Sequence, residues 1–153
     1  MRLEIDESTI IKANAHFWEQ MLSMTLEPMA FPDQFCVEPG HITASVKFSG
    51  AWDGCVEVRI AETLAYLATA EMLMQPLDTV GEGDTLDATK EIANMIAGGI
   101  KSSLPRPCAM TVPESVVSRA RFCSCARSAE SVVVAFRHES GDLLVRVSET
   151  QRS

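Results

Sequence analysis

HITASVKFSGAWDGCVEVRIAETLAYLATAEMLMQ, residues 41–75, changes its periodicity halfway along. Apolar and polar residues alternate in HITASVKF (41–48) and again in GCVEVRIA (54–61), the period of strands with one buried face. SGAWDG (49–54) between them reads as a hairpin turn. AETLAYLATAEMLMQ (61–75) then follows a helical period and is halted by Pro76. A hairpin running straight into a helix predicts an α+β fold: a mixed or mainly antiparallel sheet with two long helices and one shorter helix packed on it. Trp52, at the hairpin tip, either packs back on its own hairpin or marks a contact surface.

Outward from this stretch, ESTIIKANAHFWEQMLSMTL (7–26) spaces Ile10, Ile11, Phe17, Met21 and Met24 as a helix does. EPMAFPDQFCVEPG (27–40), with three prolines, reads as a loop. On the other side DTLDATKEIANMIAGGIKSSLP (84–105) is a third helix. Further strands follow in CAMTVPESVVSRARFCSCA (108–126), SVVVAFRH (131–138) and DLLVRVSE (142–149), the last two joined at ESGD (139–142). No linker or low-complexity segment divides the chain, so residues 1–153 are expected to form a single domain.

Composition narrows the function classes. A net charge of −8 opposes nonspecific binding to nucleic acid or anionic lipid, both polyanions, and favours a partner with exposed Lys or Arg. MRLEIDESTII (1–11) lacks the apolar stretch of a signal peptide, and no apolar run approaches membrane-spanning length. A cytoplasmic protein without membrane insertion is expected. Five cysteines at irregular spacing suit a reducing compartment. Cys123 and Cys125 would share one side of a strand, as buried small hydrophobes or as a metal pair with no His nearby. His16, His41 and His138 have no ligand or triad spacing, and GEG (81–83) lacks the Lys of a phosphate loop, so no metal site or cofactor is expected on this chain.

The third helix carries the most specific pattern. Asp84 or Thr85 is the expected N-cap, and Pro105 ends the segment. Ile92, Ile96 and Ile100 form a buried stripe, flanked by Leu86, Ala93, Ala97 and Leu104. Opposite, Asp87, Glu91, Asn94, Gly98 and Lys101 fall within an arc of roughly 80°. Two mid-helix glycines cost about 1 kcal/mol each relative to Ala. Gly98, on the outward arc, removes bulk and permits close approach by something external. Gly99 lies nearer the core and is expected to ease packing on the sheet. A merely solvated polar face is the competing reading of the arc. Sliding the first helix by 80 positions lays IKAN (11–14) over EIAN (91–94), Asn14 on Asn94, Ile11 on Glu91 and Trp18 on Gly98. Either an internal repeat or two unrelated helices would produce this.

DATKEIAN (87–94) resembles the Asp/Ser-x-x-x-Glu-x-x-Asn motif of the CheC/CheX/FliY chemotaxis phosphatases, and MIAGGIKSSL (95–104) is similar to its CheX-type continuation. FSGAWDGCVEVRIAETLAYLATAEML (48–73) also resembles that family's hairpin and helix. Two positions depart from the pattern: Pro113 follows the Asn more closely than the family's proline does, and Gly99 stands where a polar residue is expected. Ile11 in place of Glu leaves one motif, as in CheX. The resemblance implies a phosphatase whose substrate is a phosphorylated CheY-type response regulator, with Mg2+ held by the regulator. It implies Asn94 as the water-positioning residue and Glu91 as the group pairing with a regulator lysine, both catalytic, with Asp87, Gly98 and Lys101 in partner binding. It further implies a homodimer formed through the sheets. The alternatives are a non-catalytic module that docks a regulator or serves a flagellar switch, and a structural dimer that leaves the helix face unused.

Overall fold

The computed structural model describes residues 5–29, 34–37, 40–118, 122–125 and 131–150. In chain order these form α1 (Glu7–Ala15) with a π-helical continuation (His16–Met21), β1 (Glu27–Met29), β2 (Gln34–Val37), β3 (His41–Gly50), β4 (Gly54–Ala61) and α2 (Glu62–Leu73). A 3-10 turn (Leu77–Thr79), α3 (Glu82–Lys101), β5 (Cys108–Met110), β6 (Glu114–Ser118), β7 (Phe122–Cys125), β8 (Ser131–His138) and β9 (Gly141–Glu149) follow. The main sheet has the order β1-β8-β9-β4-β3, and β5 and β6 share the outer edge of β3. Every pairing is antiparallel, and β2 and β7 form a separate two-stranded pair.

Alternation along the strands decides where the core sits. Ile42, Ala44, Val46 and Phe48 of β3, Val56, Val58 and Ile60 of β4, and Val145 and Val147 of β9 are all buried on one face. They join one cluster with Ile92, Ile96 and Ile100 of α3, Leu64 and Ala68 of α2, and Ile10 and Trp18 of the first helix. Shifting any of these strands by one residue would turn its apolar set to the other side, so burial fixes the register. The opposite face is mixed: Glu57 of β4 accepts from Arg59 at 3.3 Å and from Arg146 of β9 at 2.6 Å, while Ala61, Val133, Ala135 and Leu144 form a second, smaller buried cluster there.

The hairpin tip is closed by its own tryptophan. Trp52 is 1% exposed and meets Phe48 edge to face, ring centroids 5.9 Å apart. Gly50 takes a φ of +132°, where a Cβ would strike the carbonyl of Pro107. That carbonyl accepts from the Ala51 N–H at 2.8 Å, fastening the tip to the segment that enters β5.

Four local expectations need correction. Residues 27–40 contain β1 and β2 rather than loop alone; β1 is three residues long and holds Pro28, which a sheet tolerates at an edge, so no alternation marks it. The first helix ends at Met21, and Met21 is 56% exposed instead of joining the buried stripe. Its last six residues are π-wound, which turns fewer degrees per residue, retards the phase and buries Trp18 and Leu22 instead. α3 begins at Glu82 behind Gly81 as N-cap, with Asp84 at the third position accepting from the Gly81 N–H. Thr85 is buried and donates its hydroxyl to the Gly81 carbonyl at 2.8 Å. The fourth correction concerns Gly99, taken up below. At α1 the start is conventional: Asp6 accepts from the Thr9 N–H at 2.9 Å, and that bond holds its carboxyl below the usual range. The side chains of Cys123 and Cys125 lie outside the described residues.

Gly54 tests the closure of the tip. A Cβ there would overlap the Trp52 ring and the Ser148 carbonyl. Gly54→Ala should destabilise the protein by about 1–3 kcal/mol through overpacking. Urea unfolding followed by tryptophan fluorescence measures this; an unchanged midpoint would contradict the packing.

Candidate functional site

Burial of Ile92, Ile96 and Ile100, each 0% exposed, sets the rotation of α3 and so decides what it presents outward. Ala93, Ala97 and Leu104 are buried beside them, and Leu86 is half-buried. Glu91, Gly98 and Lys101 are exposed on the far side, with Asn94 half-buried between them. Asp87 is exposed as well, at the N-terminal end of this ridge, where it pairs with Lys90 at 3.5 Å. That exposed pair contributes little stability, but it occupies Lys90 and leaves Glu91 without a cation among the described residues.

The two glycines serve different neighbours. No atom lies within 4 Å of where a Gly98 Cβ would stand, so the notch at this position opens on free space. A Gly99 Cβ would come within 3.2 Å of the Ala13 Cβ on α1. Gly99 therefore admits the first helix, not the sheet, because α1 packs across α3 at this level.

Asn14, aligned with Asn94 in the sequence comparison, has a different fate. It is 1% exposed, and its Oδ1 accepts from the Trp18 indole N–H at 2.8 Å. Trp18, at the position matching Gly98, covers the amide that Gly98 leaves open on α3. Of the two aligned asparagines, Asn14 is sealed and Asn94 keeps part of its surface open.

Beyond Gly98 the ridge runs into a concavity of about 520 Å3 lined by Gly98, Lys101, Ser102, Arg106, Pro107 and Cys108. Arg106 escaped the sequence reading because it lies past Pro105, where helical periodicity no longer places a residue. Pro113, half-buried, sits in the link from β5 to β6. Its neighbour Ser115 donates to the Leu86 carbonyl at 3.0 Å, about two helical turns before Asn94.

Elsewhere the chemistry is thin. A concavity of about 730 Å3 lies beside the start of α2, between Tyr66, Leu67, Leu77 and the β8–β9 turn; there Thr63 donates to the Ser140 carbonyl. Burial, reinforced by Glu57, pushes the Cys55 thiol up and makes it a poor nucleophile. Burial, then Arg59, lowers His41. Among the described residues no three His, Cys, Asp or Glu side chains gather as a metal site. No described helix is long and apolar enough to cross a membrane.

Comparisons with known proteins agree on the family and the fold. Residues 42–137 match the family model described as Chemotaxis phosphatase CheX. Comparison with curated proteins returned no match. Among solved structures, the chemotaxis protein CheX from Vibrio vulnificus superposes with a TM-score of 0.74 at 18% identity, covering 94% of this chain and 95% of that one. CheX in the CheX–CheY–BeF3–Mg2+ complex from Borrelia burgdorferi gives 0.72 at 13% identity, covering 94% and 97%. FliY from Thermotoga maritima gives 0.62 at 12% identity, covering 97% and 93%. With more than half of its length matched by the family model and the same fold throughout, the chain belongs to the CheX family of chemotaxis phosphatases.

Proposed function

We propose that this protein dephosphorylates a CheY-type response regulator by inserting the α3 ridge into the regulator's active site. The observation that carries the reading is the open notch at Gly98 one turn from the half-buried Asn94 on the same ridge. Family membership supports the reaction class, and the Borrelia complex supports the kind of partner.

Hydrolysis of an aspartyl phosphate needs a water held in line with the leaving oxygen, and positioning supplies most of the acceleration. Asn94 suits that task because a carboxamide both donates and accepts hydrogen bonds without bringing negative charge toward the phosphoryl group. Glu91, one turn earlier and without a cation of its own among the described residues, pairs with a lysine of the regulator and holds the two proteins in register. Asp87 stays peripheral through its pair with Lys90. Mg2+ belongs to the regulator, where it neutralises charge on the phosphoryl oxygens. A homodimer through the sheet edge is part of the same proposal, supported by Val116, which is 61% exposed on the edge strand β6.

Purified protein added to a phosphorylated regulator with Mg2+ should accelerate phosphate release beyond the regulator's own decay. Binding without acceleration would identify a docking module instead. Asn94→Ala should retain binding and lose about 10²-fold or more of the rate, the scale of removing one positioned hydrogen-bonding group. Undiminished turnover would exclude Asn94 as the positioning group.

Gly98→Leu and Gly98→Ala separate the fold from the function. Since a Cβ here meets nothing within 4 Å, both variants should fold, and Ala should raise stability by about 1 kcal/mol through helix propensity. Leu should weaken regulator binding by holding the helix away. Wild-type affinity in a folded Gly98→Leu protein, checked by thermal unfolding and titration, would remove the close-approach argument.

A further inference from the structure

The concavity at the C-terminal end of α3 holds two cations in a chain whose net charge is −8. Neither Lys101 nor Arg106 has a carboxylate partner among the described residues. The other polar side chains of the wall are already engaged. Ser102 donates its hydroxyl to the Gly99 carbonyl at 2.8 Å, and the Cys108 thiol donates to the Trp52 carbonyl at 3.5 Å. Helix C-termini carry partial negative charge on unsatisfied carbonyls. Here the carbonyls of Gly99, Ile100 and Lys101 accept from Ser102, Ser103 and Leu104, which blunts that field. What the cavity offers a visitor is positive charge and donors.

Its backbone is also held in place. Arg106 precedes Pro107, whose carbonyl accepts from Ala51 at 2.8 Å, and β5 continues from there along β3 through the Gly50–Cys108 pairing. Arg106 therefore stands on a braced segment beside the helix end.

Resting on the function proposed above, we infer that Lys101 and Arg106 form a receiving pocket for a carboxylate-bearing segment of the phosphorylated regulator, next to the place where Asn94 works. The ridge is then polar end to end. Glu91 carries negative charge, Asn94 and Gly98 form a neutral middle, and Lys101 with Arg106 carries positive charge about 15 Å from Glu91 along the axis. That separation exceeds the screening length of about 8 Å at physiological salt, so the two ends act on a partner independently. A partner offering a lysine at one end and an acid at the other is accepted in one orientation, and the reversed docking meets like charge at both ends. Arg106 is a specificity-determining residue in this scheme and takes no part in bond making.

The test uses full-length protein, a CheY-type regulator phosphorylated with a small-molecule phosphodonor, and Mg2+. Arg106→Glu should raise KM for the phosphorylated regulator by about tenfold at low salt, with the loss falling on KM rather than kcat, and the gap should shrink as salt rises. Arg106→Lys, which keeps the charge, should recover most of the difference. Lys101→Glu combined with Arg106→Glu should reverse the dependence of KM on ionic strength, because salt then screens a repulsion between like charges. Thermal unfolding should be unaltered, because Arg106 is exposed and a structural role would move it. If wild type accelerates dephosphorylation and Asn94→Ala does not, yet Arg106→Glu keeps the wild-type KM at low salt, the pocket is refuted while the phosphatase reading stands. A loss confined to kcat refutes it equally. If wild type neither accelerates dephosphorylation nor binds the regulator, both readings fall together.

Discussion

Everything the outward ridge can do follows from three isoleucines being dry. Ile92, Ile96 and Ile100 are fully buried against the sheet, and burying each such side chain is worth about 1.5–3 kcal/mol. Rotating α3 by even one residue's worth of twist, about 100°, would bring charged or amide groups into that core. The helix consequently has one stable phase. Asn94 is held at its place on the surface by residues that never touch a partner.

The paired glycines illustrate how one local departure from helix propensity answers two separate demands. Gly99 lets α1 come within ordinary packing distance through Ala13, which adds to the clamp that fixes the helix. Gly98 faces open space and does nothing for packing. A propensity cost of about 1 kcal/mol with no structural return is the kind of local inconsistency that marks a functional surface.

Much of this was legible in the residues. The alternation in 41–61 and the isoleucine repeat in 92–100 are long, periodic signals, and strands, helix and burial follow them closely. The ridge from Glu91 to Lys101 follows from the same periodicity. Short elements were not legible. β1 has three residues around a proline, and the π-wound turn after Ala15 breaks the very periodicity used to place Met21. The N-cap was misplaced because glycine offers no side chain, whereas Asp84 looks like a cap and in fact serves three positions in. Gly99's neighbour could not be read from one helix alone, since periodicity gives the face but not which element covers it. Arg106 is brought to the ridge by the turn after α3 and the bracing of β5, a tertiary arrangement with no repeat behind it.

The sealed amide on the first helix has an evolutionary corollary. Opening that face would require removing Trp18, which is wholly enclosed, and deleting so large a core side chain typically costs about 3–5 kcal/mol. Set against a usual total of about 5–15 kcal/mol, such a step sacrifices a large share of stability before any new surface is gained. A further exchange at Ile11 would still be needed to supply an acid. Turning that face into a second open one therefore takes at least two exchanges, and the one at Trp18 is costly on its own.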